Sequence, residues 1–104
     1  MKGRLAMKLT KAMTGTALTI EIEGRVDTVT APELEKMIKE SSEKAESLVL
    51  DFAKVEYISS AGLRVLLSAH KAMSKKNGMK IKNAGEDIME IFEVTGFTDI
   101  LNIV

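Results

Sequence analysis

A chain of 104 residues, 45% hydrophobic and 29% charged, has the make-up of one soluble globular domain with a single modest core. Its 15 basic and 15 acidic residues balance, so it lacks the cationic excess that drives general nucleic-acid binding. With no cysteine it can form no disulfide, thiolate metal site or cysteine nucleophile, which suits a reducing, cytoplasmic setting.

Met1 to Met7 has no long apolar core, so it does not read as a signal peptide. Met7 offers an alternative start, which would make residues 1–6 an extension. No apolar run approaches the ~20 residues needed to span a membrane. Lys8 to Lys11 reads as a first strand, closed by a turn around Thr14-Gly15. In Ala17 to Glu23, Leu18, Ile20 and Ile22 alternate with Thr19, Glu21 and Glu23. That period of two marks a strand with one wet face, and the two strands form a hairpin. Gly24 breaks the run, leaving Arg25 to Thr30 as a loop in which Asp27 suits a turn.

Thr30-Ala-Pro-Glu33 starts a helix, with Thr30 as cap, Glu33 completing a capping box and Pro32 in the first turn. Leu34, Met37, Ile38 and Ala45 take its inner side, and Lys36, Lys39, Glu40 and Glu43 its wet side. Ser47 to Phe52 is apolar on both faces and predicts a central strand covered on both sides. A short connection carrying Ser59 and Ser60 leads into a helix reaching about Lys75. This helix buries Leu63, Leu66, Leu67 and Met73, and Gly78 forms a left-handed cap after it. Met79 to Lys82 is a short strand, and Asn83 to Asp87 opens a last helix with Ile88, Ile91 and Phe92 inside and Gly96 as its stop. Asp99 to Val104 holds a helical turn and a strand remnant. Strands alternating with helices predict parallel pairing through right-handed crossovers.

Chemistry concentrates at the two serines. A serine at a helix start ordinarily caps, its oxygen accepting from an amide that the helix leaves unpaired. Gly62, in the first turn, is a residue that costs about 0.8–1 kcal/mol in a helix interior. It removes bulk beside the serines, so that a backbone or a phosphate can approach. Free amides and the helix dipole favour an anion there, and an accessible hydroxyl can carry a covalent phosphate.

The segment Tyr57-Ile-Ser-Ser-Ala-Gly-Leu-Arg-Val-Leu-Leu67 resembles the signature of STAS domains, in particular the anti-sigma-factor antagonists of bacteria. It follows a strand, Leu48-Val-Leu-Asp51, written much as in that family. Gly24-Arg-Val-Asp27 is similar to the family's Gly-x-x-Asp element, and Val94-Thr-Gly-Phe97 to its C-terminal helix ending. The resemblance implies an α/β fold: a single STAS-like domain over residues 1–104, with a mixed sheet of four to five strands, an N-terminal β-hairpin and three main helices. It implies Ser60, two residues before Gly62, as phosphoacceptor, and Asp27, Thr28, Ser59, Ala61, Gly62 and Arg64 as the partner-binding surface. Many members carry Asp where this chain has Ser59 and a second Ser where it has Ala61, so Ser59 competes with Ser60 for the acceptor role.

Catalysis does not fit these residues. The only histidine, His70, lies ten residues beyond Ser60 on the same predicted helix, ~15 Å along the axis, where a nucleophile–base pair needs ~3 Å. One histidine and no cysteine leave no transition-metal set, and no glycine-rich phosphate loop is present, so neither enzymatic activity nor a cofactor is expected. The resemblance implies a phosphorylation-switched binding module. Unphosphorylated, it would bind an anti-sigma factor of the serine-kinase type and free the sigma factor. The kinase would modify Ser60 with its own ATP and Mg²⁺, and a protein phosphatase would reset the switch. The alternative is a structural STAS subunit of a transporter or signalling assembly, in which Ser60 is only a cap.

Overall fold

Gly15 turns the first two apolar runs back on each other. Its φ of +63° is a left-handed conformation that costs glycine little. A computed structural model describes residues 7–104; residues 1–6, the extension that a start at Met7 would create, lie outside the described residues. The hairpin consists of β1 (Met7–Thr14) and β2 (Ala17–Val26), antiparallel from Thr14 opposite Ala17 to Met7 opposite Gly24. β1 outruns the predicted Lys8–Lys11 because ladder bonds to β2 hold its polar end in the strand.

After the hairpin come α1 (Ala31–Ser42), β3 (Ser47–Ile58), α2 (Ser60–Met73), β4 (Met79–Lys82) and α3 (Glu86–Val94). A 3₁₀ turn at Phe97–Asp99 and a short β5 (Asn102–Ile103) complete the described chain. The sheet order is β1-β2-β3-β4-β5, with β2 to β5 mutually parallel. Consecutive parallel strands joined by right-handed crossovers put every connecting helix on one face. Leu18, Ile20, Leu48, Leu50 and Ile81 line that face and are buried with Leu34, Leu66 and Ile88 in one core. Phe52 meets Phe92 of α3 with ring centroids 6.1 Å apart.

The structure corrects two readings of the sheet. Among the described residues β3 is covered on one side only: Thr19, Glu21, Val49 and Asp51 face away from the helices and are half-buried, and Lys80 beside them is exposed. Val49 lies between its cross-strand neighbours Thr19 and Lys80. Nor does β3 stop at Phe52. It runs to Ile58, pairing Val55 with Gly24 and Ile58 with Val26 across two register shifts. These bulges insert extra residues, so burial falls at Phe52, Val55 and Ile58 and the alternation disappears. Gly24 does not end β2; it stays in the strand at φ +101°.

α2 ends as the cap reading requires, with Gly78 at φ +95° donating its N–H to the Met73 carbonyl at 3.0 Å. Within α2, Val65 and Ala69 are buried, whereas Leu67 is only half-buried.

Candidate functional site

Extending β3 to Ile58 carries the serines to the same end of the sheet as the β2–α1 turn. The Ser59 amide donates to the Val26 carbonyl at 2.8 Å, so the last sheet bond also positions the helix start. Ser59 is extended (φ −94°, ψ 176°), and its Oγ accepts from the Gly62 amide at 3.4 Å. It is therefore the N-cap. Ser60 is the first helical residue, exposed, and its hydroxyl makes no hydrogen bond among the described residues. One hydroxyl is committed to the backbone and its neighbour faces solvent.

Gly62 lets α2 pack closely on the sheet. It is buried, and a Cβ there would lie 2.7 Å from both Val26 Cγ1 and Ile58 Cγ1. The missing side chain faces inward, letting α2 sit directly on the ends of β2 and β3. The glycine thus serves packing here, beside the contact role that the resemblance implies for it.

Asp27 organises the opposite lip. Its Oδ1 accepts from the Val29 and Thr30 amides, each at 3.0 Å, and from the Thr30 hydroxyl at 3.3 Å. The Thr30 Oγ1 in turn accepts from the Asp27 amide at 2.9 Å, and its one proton, shared with Asp27 Oδ1, points mainly to the Arg25 carbonyl at 2.8 Å. Asp27 and Thr30 thus make a reciprocal capping box on the turn that leads into α1. The box predicted between Thr30 and Glu33 does not form: the Thr30 side chain caps no amide of α1. Arg25 lies 3.8 Å from the second carboxylate oxygen of Asp27 and stacks on Tyr57, 4.4 Å from the ring centroid.

Between the lips, Thr28, Pro32 and Glu35 face Ala61, Arg64 and Ser68 across an open groove of about 340 Å³. Thr28, Ala61 and Arg64 are thereby brought together, with Ser60 at the adjoining helix start and Asp27 in the turn beside Thr28. The first turn of α2 carries no acid to offset its positive end.

The Thr30 amide, the Val29 amide, the Thr30 hydroxyl and the Arg25 guanidinium hold the Asp27 carboxyl below its ordinary range, against a smaller opposing effect of desolvation. At Asp51, burial pushes upward, but the Ala53 amide, the Asn83 side chain, Lys82 and Lys54 together outweigh it and leave the carboxyl lowered. A carboxyl lowered on folding contributes stability above its unfolded pKa and loses it as pH falls through the folded value. The thermal midpoint is therefore expected to fall as pH drops below about 4, the ordinary carboxylate value. Asp27→Asn keeps an oxygen acceptor without the charge, so it should lose less stability over that acid range than wild type. An equal acid loss in that variant would remove Asp27 from the account.

Residues 8–104 match the STAS domain model. The chain belongs to the STAS family. The anti-sigma-B factor antagonist of Bacillus subtilis is 30% identical over 87 residues, spanning 83% of this chain and 80% of that protein. Among solved structures, an anti-sigma factor antagonist from Mycobacterium paratuberculosis superposes with a TM-score of 0.85 at 23% identity, covering 93% of this chain and 84% of the other. SpoIIAA of Bacillus, solved in its phosphorylated form, superposes with a TM-score of 0.71 at 15% identity, covering 95% and 91%. The relatives place this STAS domain with the anti-sigma-factor antagonists of the family.

Two surface features of the STAS domain escaped the sequence reading. Val29 projects from the Asp27–Thr30 turn at 84% exposure, and Tyr57 stands half-open beneath Arg25 at 37%. An apolar residue between two threonines in a polar turn was the available signal for the first. His70 is half-buried on α2, with Nδ1 buried and unpartnered among the described residues. No helix among the described residues is long and apolar enough to cross a membrane.

Proposed function

We propose that this STAS domain is a phosphorylation-switched anti-sigma-factor antagonist acting in the cytoplasm. Unphosphorylated, it binds an anti-sigma factor of the serine-kinase type through the surface around Asp27, Thr28, Ser59, Ser60, Ala61, Gly62 and Arg64, and so frees a sigma factor. The kinase brings its own ATP and Mg²⁺ and modifies Ser60; a phosphatase restores the binding form. The supporting observation is the division of labour between the serines: Ser59 Oγ is taken by the Gly62 amide, while the Ser60 hydroxyl is exposed at the edge of the groove. The relatives' names agree with the partner, and a protein of this fold has been solved in a phosphorylated form.

Incubation with a serine-kinase-type anti-sigma factor and labelled ATP tests it. Ser60→Ala should abolish labelling and leave the thermal midpoint nearly unchanged, since that hydroxyl has no bond to lose. Ser59→Ala should still be labelled but be destabilised by about 1 kcal/mol through loss of the cap. Labelled Ser60→Ala together with unlabelled Ser59→Ala would move the acceptor by one residue. A wild-type chain that no such kinase labels would favour the structural-subunit role.

A further inference from the structure

Parallel strands are nearly always covered on both faces. Here β2 to β5 are parallel, and no described element covers the face turned away from the helices. The register arranges that face in rows. One row runs Ala12, Thr19, Val49, Lys80, Asn102, and the next Thr10, Glu21, Asp51, Lys82. In the second row the anions lie together on β2 and β3 and the cation on β4, whereas a third row, Lys8, Glu23, Lys54, alternates in sign. Glu21 sits between Thr10 and Asp51, so its charged cross-strand neighbour has its own sign, an unfavourable pairing. The cations Lys80 and Lys82 lie two strands from Glu21 on β4, with Lys82 directly beside Asp51. Neither Glu21 nor either lysine forms an ion pair among the described residues; the pairs that form are Arg25–Asp27 and Glu35–Lys39.

A second copy of the same face supplies what is missing. A two-fold axis along β3 lays β2 of one copy over β4 of the other while preserving each row. Glu21 then faces Lys82 of the second copy and Lys82 faces its Glu21, while Val49 meets Val49 at the centre. Aligned sheets pack in this way, offset by about 30°. We infer that this open sheet face is a self-association surface, two copies docking face to face through reciprocal Glu21–Lys82 pairs around Val49. The helix-side groove stays free, so association and partner binding are compatible.

The size of the face limits its strength. Five strands at ~4.8 Å spacing and about six residues of length make a patch of roughly 400 Å², half the ~800 Å² per partner of a standard interface. Asp51 and Lys54 also each meet their own copy near the axis, which opposes docking, although Asn83 and the Ala53 amide already engage Asp51 Oδ1. The dimer is therefore weak, with a dissociation constant on the order of 10⁻⁴ M.

Sedimentation equilibrium of the purified chain in low salt, up to roughly 1 mM, reads this range. Wild type should show a monomer–dimer equilibrium. Glu21→Lys and Lys82→Glu, each alone, should weaken it at least tenfold. The double variant should regain it, and an equimolar mixture of the two single variants should form a heterodimer, which also shows that both fold. A wild-type chain that stays monomeric at the highest concentration overturns the inference. So does association that the single variants leave unchanged, as pairing through the β1 edge would, or a loss that neither the double variant nor the mixture repairs.

Discussion

Gly62→Val is expected to lower the thermal midpoint by about 15 °C, the largest effect of any single substitution at the site. For a domain of about 100 residues, 1 kcal/mol shifts the midpoint by roughly 4–8 °C, so this corresponds to about 2–3 kcal/mol. The physical cause is overpacking. A Cβ at position 62 would stand 2.7 Å from Val26 Cγ1 and from Ile58 Cγ1, closer than such atoms approach. Neither neighbour can step aside, because both are buried and joined by the register of β2 and β3. The helix must instead lift from the sheet ends, stretching the Ser59 amide bond to the Val26 carbonyl. Gly62→Ala separates packing from helix preference: alanine gains up to about 1 kcal/mol in a helix interior, against about 1–3 kcal/mol for overpacking. A net loss of about 1 kcal/mol is therefore expected, with valine distinctly worse. Chemical denaturation of the three proteins decides it. A valine variant as stable as wild type, but unable to bind the anti-sigma partner, would show that Gly62 acts at the contact surface and not in packing.

That residue also shows where sequence reading runs out. A glycine beside two serines announces that space is needed, but not on which side. The side depends on how α2 meets β2 and β3, and so on a register that the bulges in β3 conceal. Up to Phe52 the strands are legible from their apolar residues, alternating in β2 and continuous in β3; beyond it Phe52, Val55 and Ile58 are buried at a spacing of three, and the strand reads as a connection. The α1 entry fails for another reason. Asp27-x-x-Thr30 and Thr30-x-x-Glu33 are overlapping capping boxes that share one hydroxyl. The Thr30 hydroxyl bonds the Asp27 amide and the Arg25 carbonyl, and the carboxylate of Asp27 supplies the stronger charged acceptor. The family motif names Ser60, Asp27 and Arg64 as site residues without this detail. Assigning the cap to Ser59 required one further fact, the residue at which β3 ends.

Phosphorylation of Ser60 is expected to weaken anti-sigma binding tenfold or more while α2 stays folded. The phosphate adds roughly −1.5 to −2 charges at pH 7. It arrives over a helix N-terminus whose dipole favours an exposed anion by about 0.3–1 kcal/mol. No acid in the first turn opposes it, and the Ser59 cap on Gly62 is untouched because the modified oxygen holds no bond in the fold. Arg64 follows four residues later on the same helical surface, at the spacing where side chains meet, so the new charge finds a cation within the domain. What changes is the face shown to the partner. The groove edge lined by Arg64 goes from cationic to anionic, and Asp27 in the β2–α1 turn adds to the negative field. Like charges brought together across an interface cost several kcal/mol, and each 1.4 kcal/mol is tenfold in affinity, so the shift follows without any rearrangement of backbone. Titration of modified and unmodified protein against the partner gives the ratio, and amide exchange reads the helix. Ser60→Asp, with a single charge and no tetrahedral oxygens, should reproduce the direction with a smaller loss. Amide protection across Ser60–Met73 should be equal in the two forms; its collapse on phosphorylation would show that the switch melts α2 and that surface charge is not the cause.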